Sequence, residues 1–251
     1  MLLEVKDLNK HFGGLQAVRD ATFTVAENKV TGLVGPNGAG KTTVFNMITG
    51  TIPADSGNVT FQGKDITGVT AQGRVRHGIA RTFQDVRLLP RLTVAENVAV
   101  GVQEQPGEKF FKLFIAPVHV RKREKETLVR VHECLDFVGI GKEVRSEPAG
   151  NLSYGEQKLV SIARLLATGA RLLLLDEPTS GLDEHSLDQF RAVLAKLIED
   201  GKSVLMVEHN MLLVRELCDR AVFMATGQVL AVDTPEKLME KEELREVYFG
   251  A

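Results

Sequence analysis

Gly35-Pro36-Asn37-Gly38-Ala39-Gly40-Lys41-Thr42 is the stretch that decides the fold. It fits G-x-x-x-x-G-K-[ST], follows the apolar run Val30-Thr31-Gly32-Leu33-Val34 and precedes a helix-like segment, Val44 to Thr49. Strand, loop and helix in that order make a cradle for phosphate. Glycines let backbone N–H groups turn inward around phosphate oxygens with no Cβ in the way. The helix that follows points its positive end at the same anion. Lys41 adds a point charge for the β- and γ-phosphates, and the Thr42 hydroxyl can ligate Mg²⁺. With Thr43, these residues are the expected nucleotide contacts. The bland alternative, a glycine-rich turn opening a helix, does not call for both flanking elements. The motif does not say which nucleotide is bound, nor whether the chemistry is that of a kinase, a GTPase or an ATPase.

Working outward, Leu172 to Leu175 and Val204 to Val207 are apolar like Val30 to Val34. Such runs predict strands buried on both faces, as in a parallel sheet covered by helices. The first of them ends in Asp176-Glu177, at the sheet edge where ligands bind. There Asp176 can hold Mg²⁺, and Glu177 can orient and deprotonate an attacking water. Alone, two acids ending a strand could as well be a helix cap. Residues 1–30 alternate apolar and polar, which predicts antiparallel strands with one wet face. Helical spacing predicts helices from Glu156 to Ala167 and from about His185 to Glu199. A hairpin is expected from Ala221 to Val232, turning at Thr226-Gly227, with a short helix from Pro235. Residues from about 86 to 150 break the rhythm and read as a helical insert. It has a loop at Gln105-Pro106-Gly107, a mixed-charge run at Arg121 to Glu126 read as a solvated face, and an apolar cluster at Phe110, Phe111, Leu113, Phe114 and Ile115. The expected class is therefore α/β: a P-loop NTPase core with a mostly parallel sheet, an N-terminal antiparallel β subdomain and a helical insert. All of 1–251 is read as one domain, with 1–85 and 151–251 as core and about 86–150 as insert.

Composition narrows the function classes. The 251 residues are 43% hydrophobic and 25% charged, an ordinary globular balance. Lys+Arg number 31 and Asp+Glu 33, a net charge of -2, which gives no reason to expect nucleic acid as a partner. No apolar run approaches the roughly 20 residues of a membrane span, and the N-terminus shows no secretory pattern. Cys134 and Cys218 read as buried small apolar residues of a reduced, cytoplasmic chain rather than a disulfide scaffold.

Leu152-Ser153-Tyr154-Gly155-Glu156-Gln157, shortly before the acidic strand, resembles the signature of the ATP-binding subunits of ABC transporters. The resemblance extends over essentially the whole chain. Ser153-x-x-Glu156 is at the same time a plain capping box, and a capped helix start is a ready anion site. In the family it faces the γ-phosphate of ATP held by the other subunit. The family pattern has Gly where this chain has Tyr154; Ser153 and Gly155 are retained. Gln84, in Thr82-Phe83-Gln84, resembles the Q-loop glutamine that senses Mg²⁺ and the attacking water. Ser180-Gly181-Leu182-Asp183 resembles the D-loop that crosses the dimer, His209 resembles the switch histidine that contacts the γ-phosphate, and Phe12 sits where the family stacks an aromatic on adenine.

The resemblance implies an ATPase with ATP and Mg²⁺, working as a pair. Each ATP would be held by the phosphate loop of one subunit and by Ser153 and Gly155 of the other. Catalysis would fall to Glu177, His209 and Gln84, and the metal to Thr42, Gln84 and Asp176. The implied partners are transmembrane permease subunits, a second ATPase subunit of the same or a homologous chain, and indirectly a substrate-binding protein; the implied place is the inner face of the cell membrane. Val86, Leu88 and Leu89 are the expected permease contacts, in a groove between core and insert. The pattern around Arg81 to Gln84, 152–157, 207–211 and the terminal Val247-Tyr248-Phe249-Gly250 looks most like ATPases of branched-chain amino-acid importers. Urea or short-amide uptake, lipopolysaccharide export and a non-transport ABC ATPase are the alternatives.

Overall fold

Val30–Val34 (β3), Leu172–Asp176 (β7) and Ser203–Val207 (β8) are strands in which every residue is buried, as their largely apolar sequences imply. They belong to a computed structural model that describes residues 1–82, 86–103 and 117–249. Gln84, the 105–107 loop and the apolar cluster at 110–115 lie outside the described residues. The chain divides into two units, Met1–Gln84 with Arg171–Ser180 and Leu197–Ala251, and Asp85–Ala170 with Gly181–Lys196.

The first unit carries two sheets. One has six strands in the order β10-β9-β3-β8-β7-β6, with β6 at Ile79–Arg81, β9 at Arg220–Ala225 and β10 at Gln228–Asp233. Its strands are parallel except β10, which returns from β9 as an antiparallel hairpin. The turn is at Thr226-Gly227, both at positive φ (47° and 81°), the two-residue geometry whose twist matches the strands it joins. The other sheet is antiparallel, ordered β2-β1-β4-β5, from β1 (Leu3–Phe12), β2 (Leu15–Val25), β4 (Ser56–Phe61) and β5 (Lys64–Asp65). In β1, Leu3 and Val5 face the core while Glu4 faces water, the alternation expected of a sheet wet on one side. Helix α1 (Lys41–Ile48) lays Val44, Phe45, Met47 and Ile48 into the shared core with Leu33 and Phe61. Helix α2 (Ala71–His77) belongs to the same unit.

The second unit is helical. It comprises α3 (Val94–Ala99), α4 (Pro117–Phe137), α5 (Tyr154–Ala167) and α6 from Glu184, a helix that ends at Glu199 in the first unit. Apolar positions such as Val94, Val98, Val131, Leu135, Leu159 and Ile162 are buried at helical spacing, while Leu128 and Val129 on α4 are exposed. Arg123 to Glu126 on α4 are exposed, the solvated face that mixed charge implies. The helical unit thus takes in the stretches 151–170 and 181–196 as well as the segment from 86 to 150. Helix α7 (Met211–Leu217) is followed by α8 (Pro235–Glu240) and α9 (Glu242–Phe249). Cys134 and Cys218 are buried and form no disulfide, and burial pushes the Cys218 thiol up to about 12.

Candidate functional site

Strand register brings the chemistry to one edge. β8 lies between β3 and β7, and Val207 pairs both with Leu33 and with Asp176. The loop after β3, Glu177 after β7 and His209 after β8 therefore leave the sheet side by side at its carboxyl ends.

The loop at 35–42 is shaped by backbone contacts that admit no side chain. A Cβ at Gly35 (φ 142°) would lie 1.9 Å from the Met224 carbonyl oxygen, and one at Gly40 (φ 94°) 2.5 Å from that of Ala17. Gly38 differs: at φ 78° it has nothing within 4 Å of a Cβ position, so its conformation and not its surroundings calls for glycine. Helix α1 begins there with no side-chain cap and no acidic residue in its first turn. By contrast α3 and α5 each carry a complete capping box, Thr93 with Glu96 and Ser153 with Glu156. The N-terminal N–H groups of α1 are left for an anion, and the fit to a polyphosphate is direct. Lys41 is 5% exposed, and its ammonium donates to the carbonyls of Gly35 (2.7 Å) and Pro36 (2.8 Å). Burial lowers its pKa, and the negative charges of Glu177 and Asp176 oppose that. Thr42 is exposed beside it and Thr43 half-buried.

Asp176 is buried at the end of β7. Its backbone N–H donates to Thr82 Oγ1 (3.1 Å), and its Oδ2 accepts from the Arg81 guanidinium (3.1 Å). Burial raises the carboxyl pKa and Arg81 opposes the rise. The same Arg81 donates to Asn46 Oδ1 on α1, tying the acidic strand to the phosphate-loop helix. Glu177 follows in the left-handed region (φ 46°), a costly conformation for a residue with a Cβ. Its N–H donates to the Val207 carbonyl (3.0 Å), and its Oε1 lies 2.6 Å from His209 Nε2. The buried Glu208 carboxylate accepts from the Thr179 N–H (3.1 Å) and hydroxyl (2.7 Å), fixing the turn after Glu177. The Tyr248 hydroxyl donates to the His209 carbonyl, so α9 braces the same segment. The oxygen donors Thr42 and Asp176 suit a hard cation that takes few protein ligands and keeps phosphate and water, as Mg²⁺ does. No cluster of three or more His, Cys, Asp or Glu suited to a metal occurs among the described residues.

Phe12 ends β1 with half its surface exposed, too open for a core residue, and Lys10 Nζ lies 5.6 Å from its ring centroid. Asp55 pins this strand end, accepting from Lys10 Nζ (2.6 Å) and from the His11 N–H (2.6 Å).

The structure thus gathers the 35–43 loop, Asp176, Glu177 and His209 in the first unit. Ser153, Gly155 and Asp183 belong to the second, where they are neighbours: Gly155 packs on Ser186, whose N–H donates to Asp183 Oδ1 (2.7 Å). Ser153 Oγ accepts from the Glu156 N–H (3.3 Å), and Glu156 Oε2 accepts from the Ser153 N–H (2.9 Å). Also in the second unit, Leu89 is exposed while Val86 and Leu88 are half-buried. Asn97, wholly buried, holds the Leu89 backbone with a bond to each of its N–H (2.7 Å) and carbonyl (3.0 Å). Arg81, Thr82, Glu208 and Asn97 carry no site role in the sequence reading. Arg81 and Thr82 stand three and two residues before Gln84, but nothing local in the sequence names their partners on the acidic strand and α1.

The family description "ABC transporter" matches residues 18–180. The chain is 38% identical over 251 residues to the high-affinity branched-chain amino acid transport ATP-binding protein BraF of Pseudomonas aeruginosa, covering 99% of this chain and 98% of that protein. It is 32% identical over 248 residues to the lipopolysaccharide export system ATP-binding protein LptB of Escherichia coli, with 99% and 97% covered. Among solved structures, the ADP conformation of an ATP-binding cassette of an ABC transporter superposes with a TM-score of 0.87 at 31% identity, covering 100% of this chain and 99% of that one. A dimeric cassette in a post-hydrolysis state, bound to ADP and phosphate, gives 0.75 at 25% identity, covering 93% and 99%.

Proposed function

We propose, for a chain that belongs to the ABC transporter family and is an ATPase subunit of it, that this cassette powers uptake of branched-chain amino acids. The substrate class rests on likeness to BraF, which is nearer in sequence than LptB; nothing in an ATPase site touches the transported molecule. Two cassettes close on ATP, the loop at 35–43 of one facing Ser153 and Gly155 of the other, with Asp183 beside them. Permease subunits convert that closure into transport, with Val86, Leu88 and Leu89 at their contact, and a substrate-binding protein supplies the permease. The cassette then sits on the cytoplasmic face of the membrane; no described helix is long and apolar enough to cross it.

The observation that carries the catalytic reading is the Glu177–His209 pair at the carboxyl edge of the sheet, 2.6 Å apart, with Glu177 within electrostatic reach of Lys41. The loop N–H groups and Lys41 bind the phosphates, and Phe12 stacks on the base. Mg²⁺ held by Thr42 and Asp176, with Gln84, supplies charge neutralisation at the phosphates. Glu177 takes the proton of a water aimed at the γ-phosphorus. As the new P–O bond forms, the bond to the β,γ-bridging oxygen breaks, and ADP and phosphate leave. His209 holds the Glu177 carboxylate in line and meets the γ-phosphate. Once that phosphate is gone, the contacts across the pair go with it and the cassettes part.

The test is Glu177→Gln. ATP binding survives, turnover falls by about 10²–10⁴-fold as loss of a general base implies, and the variant accumulates as an ATP-bound dimer on size exclusion. Ordinary turnover would remove Glu177 from its role. For the substrate, leucine uptake in cells lacking the cassette is restored by the wild type and not by Glu177→Gln.

A further inference from the structure

We propose that Tyr154 is a positioning residue that fastens the turn at 181–186 to the start of α5, and so sets how tightly two ATP-loaded cassettes close. The proposal rests on the paired-cassette reading above. Tyr154 is the point where this chain departs from the glycine of the family signature, and the nucleotide chemistry gives it no task.

The geometry gives it one. Its ring lies along Gly181: a Cβ at Gly181 would come within 3.1 Å of Cε1, 3.7 Å of Cδ1 and 3.9 Å of Cζ. Gly181, at φ 74°, therefore both makes the turn and leaves the space that the ring fills. The next residue repeats the arrangement from the other side. A Cβ at Gly155 would lie 2.2 Å from Ser186 Oγ and 2.7 Å from Ser186 Cβ, so backbone and side chain meet there at contact distance. The turn is itself stiff, because Asp183 accepts the Ser186 N–H at 2.7 Å, a bond that also holds the Asp183 carboxyl below the usual carboxylate range. Lys158, one helical turn on, places its ammonium 5.2 Å from the Tyr154 ring centroid, a second contact that holds the ring.

Ser153 and Asp183 lie on segments separated by 29 intervening residues of chain, and in the paired reading both must meet the partner at once. Without the ring, the turn at 181–186 is joined to α5 here through the contacts of Ser186 and Leu182 with Gly155. Every degree of freedom the turn regains must be frozen again when the pair closes. In this proposal the ring acts through Gly181.

Tyr154→Gly and Tyr154→Phe in the Glu177→Gln background separate the possibilities. Aromatic packing of this kind contributes about fivefold to an equilibrium constant, and a symmetric pair contains it twice. Tyr154→Gly is expected to weaken ATP-driven dimerisation about 25-fold in sedimentation equilibrium, with the single chain's affinity for a fluorescent ATP analogue unchanged. Tyr154→Phe, which keeps the ring, dimerises like the parent. Hydrogen exchange over 181–186 in the ATP-free single chain quickens in Tyr154→Gly and not in Tyr154→Phe; Tyr154→Ala gives the same reading should the glycine variant fail to fold. Dimerisation of Tyr154→Gly as tight as the parent's, or equal losses in Gly and Phe variants, overturns the latch alone. A Glu177→Gln parent that stays monomeric in ATP overturns the paired reading and the latch with it.

Discussion

Arg74→Met is expected to be among the most damaging substitutions outside the nucleotide contacts. Arg74 lies on α2 and is 3% exposed. Its guanidinium donates to the carbonyls of Met47 and Ile48 (2.6 Å for the latter), of Thr67 (2.8 Å) and of Val69 (3.0 Å). The first two are the last turn of α1, so a buried cation meets the negative end of the helix whose positive end opens on the phosphate loop. Methionine fills much of the volume but donates nothing. Stranded buried carbonyls cost about 1–3 kcal/mol each. With relaxation rescuing those nearest the surface, the loss is roughly 4 kcal/mol, at the top of the range for single substitutions. At a urea slope of about 3 kcal/mol per molar the unfolding midpoint falls by about 1.3 M. Far-UV circular dichroism through a urea series reads it, with the exposed neighbour Arg76→Met as control, within about 0.5 kcal/mol of wild type. Arg74→Lys, able to serve some of the four acceptors, falls between. A midpoint for Arg74→Met within about 0.3 M of wild type would refute the reasoning, since it would mean these carbonyls are satisfied some other way.

Three further outcomes can be checked. Lys41→Ala removes the buried ammonium and weakens ATP binding about 10- to 100-fold by equilibrium fluorescence, the worth of a charge-assisted bond; unchanged affinity counts against the phosphate-loop assignment. Ser153→Ala loses the α5 cap at about 1 kcal/mol of stability in urea, whereas Ser153→Asp keeps the cap yet sets a negative charge where phosphate must approach, so it folds normally and fails to pair on ATP. The Asp55 carboxyl is held at about 2, first by its bond to Lys10 and then by the His11 N–H. A depressed folded value means the stability this group contributes is whole above the ordinary 3.8 and is lost as pH falls from there through about 2. Asp55→Asn therefore flattens the acid-unfolding profile in that window, and an unaltered profile shows the pairing to be without consequence.

The buried strands and the phosphate loop were legible because each announces itself locally: a continuous apolar run, glycines at fixed intervals, a lysine and threonine opening a helix. The hairpin at Thr226-Gly227, the Ser153 cap and the helix start at Pro235 follow from equally local chemistry. β6 has three residues and β5 two, too few to show a period, and both went unread. Arg74, Arg81 and Asn97 were illegible for a different reason. Polar side chains are expected outside; these are drawn in by carbonyls and a carboxylate brought near only by the fold, Arg81 reaching Asn46 across 35 residues of sequence and Asp176 across 95. Tyr154 was visible as a departure from the family pattern, but its meaning depends on Gly181, which no local spacing connects to it.

The left-handed backbone of Glu177 has an evolutionary consequence. Holding a side chain there costs about 1–2 kcal/mol that asparagine or glycine would largely recover. A gene copy relieved of its duty would drift toward either, growing sturdier as its chemistry decayed. The amino acid found at this one position in any descendant would record whether that lineage was still at work.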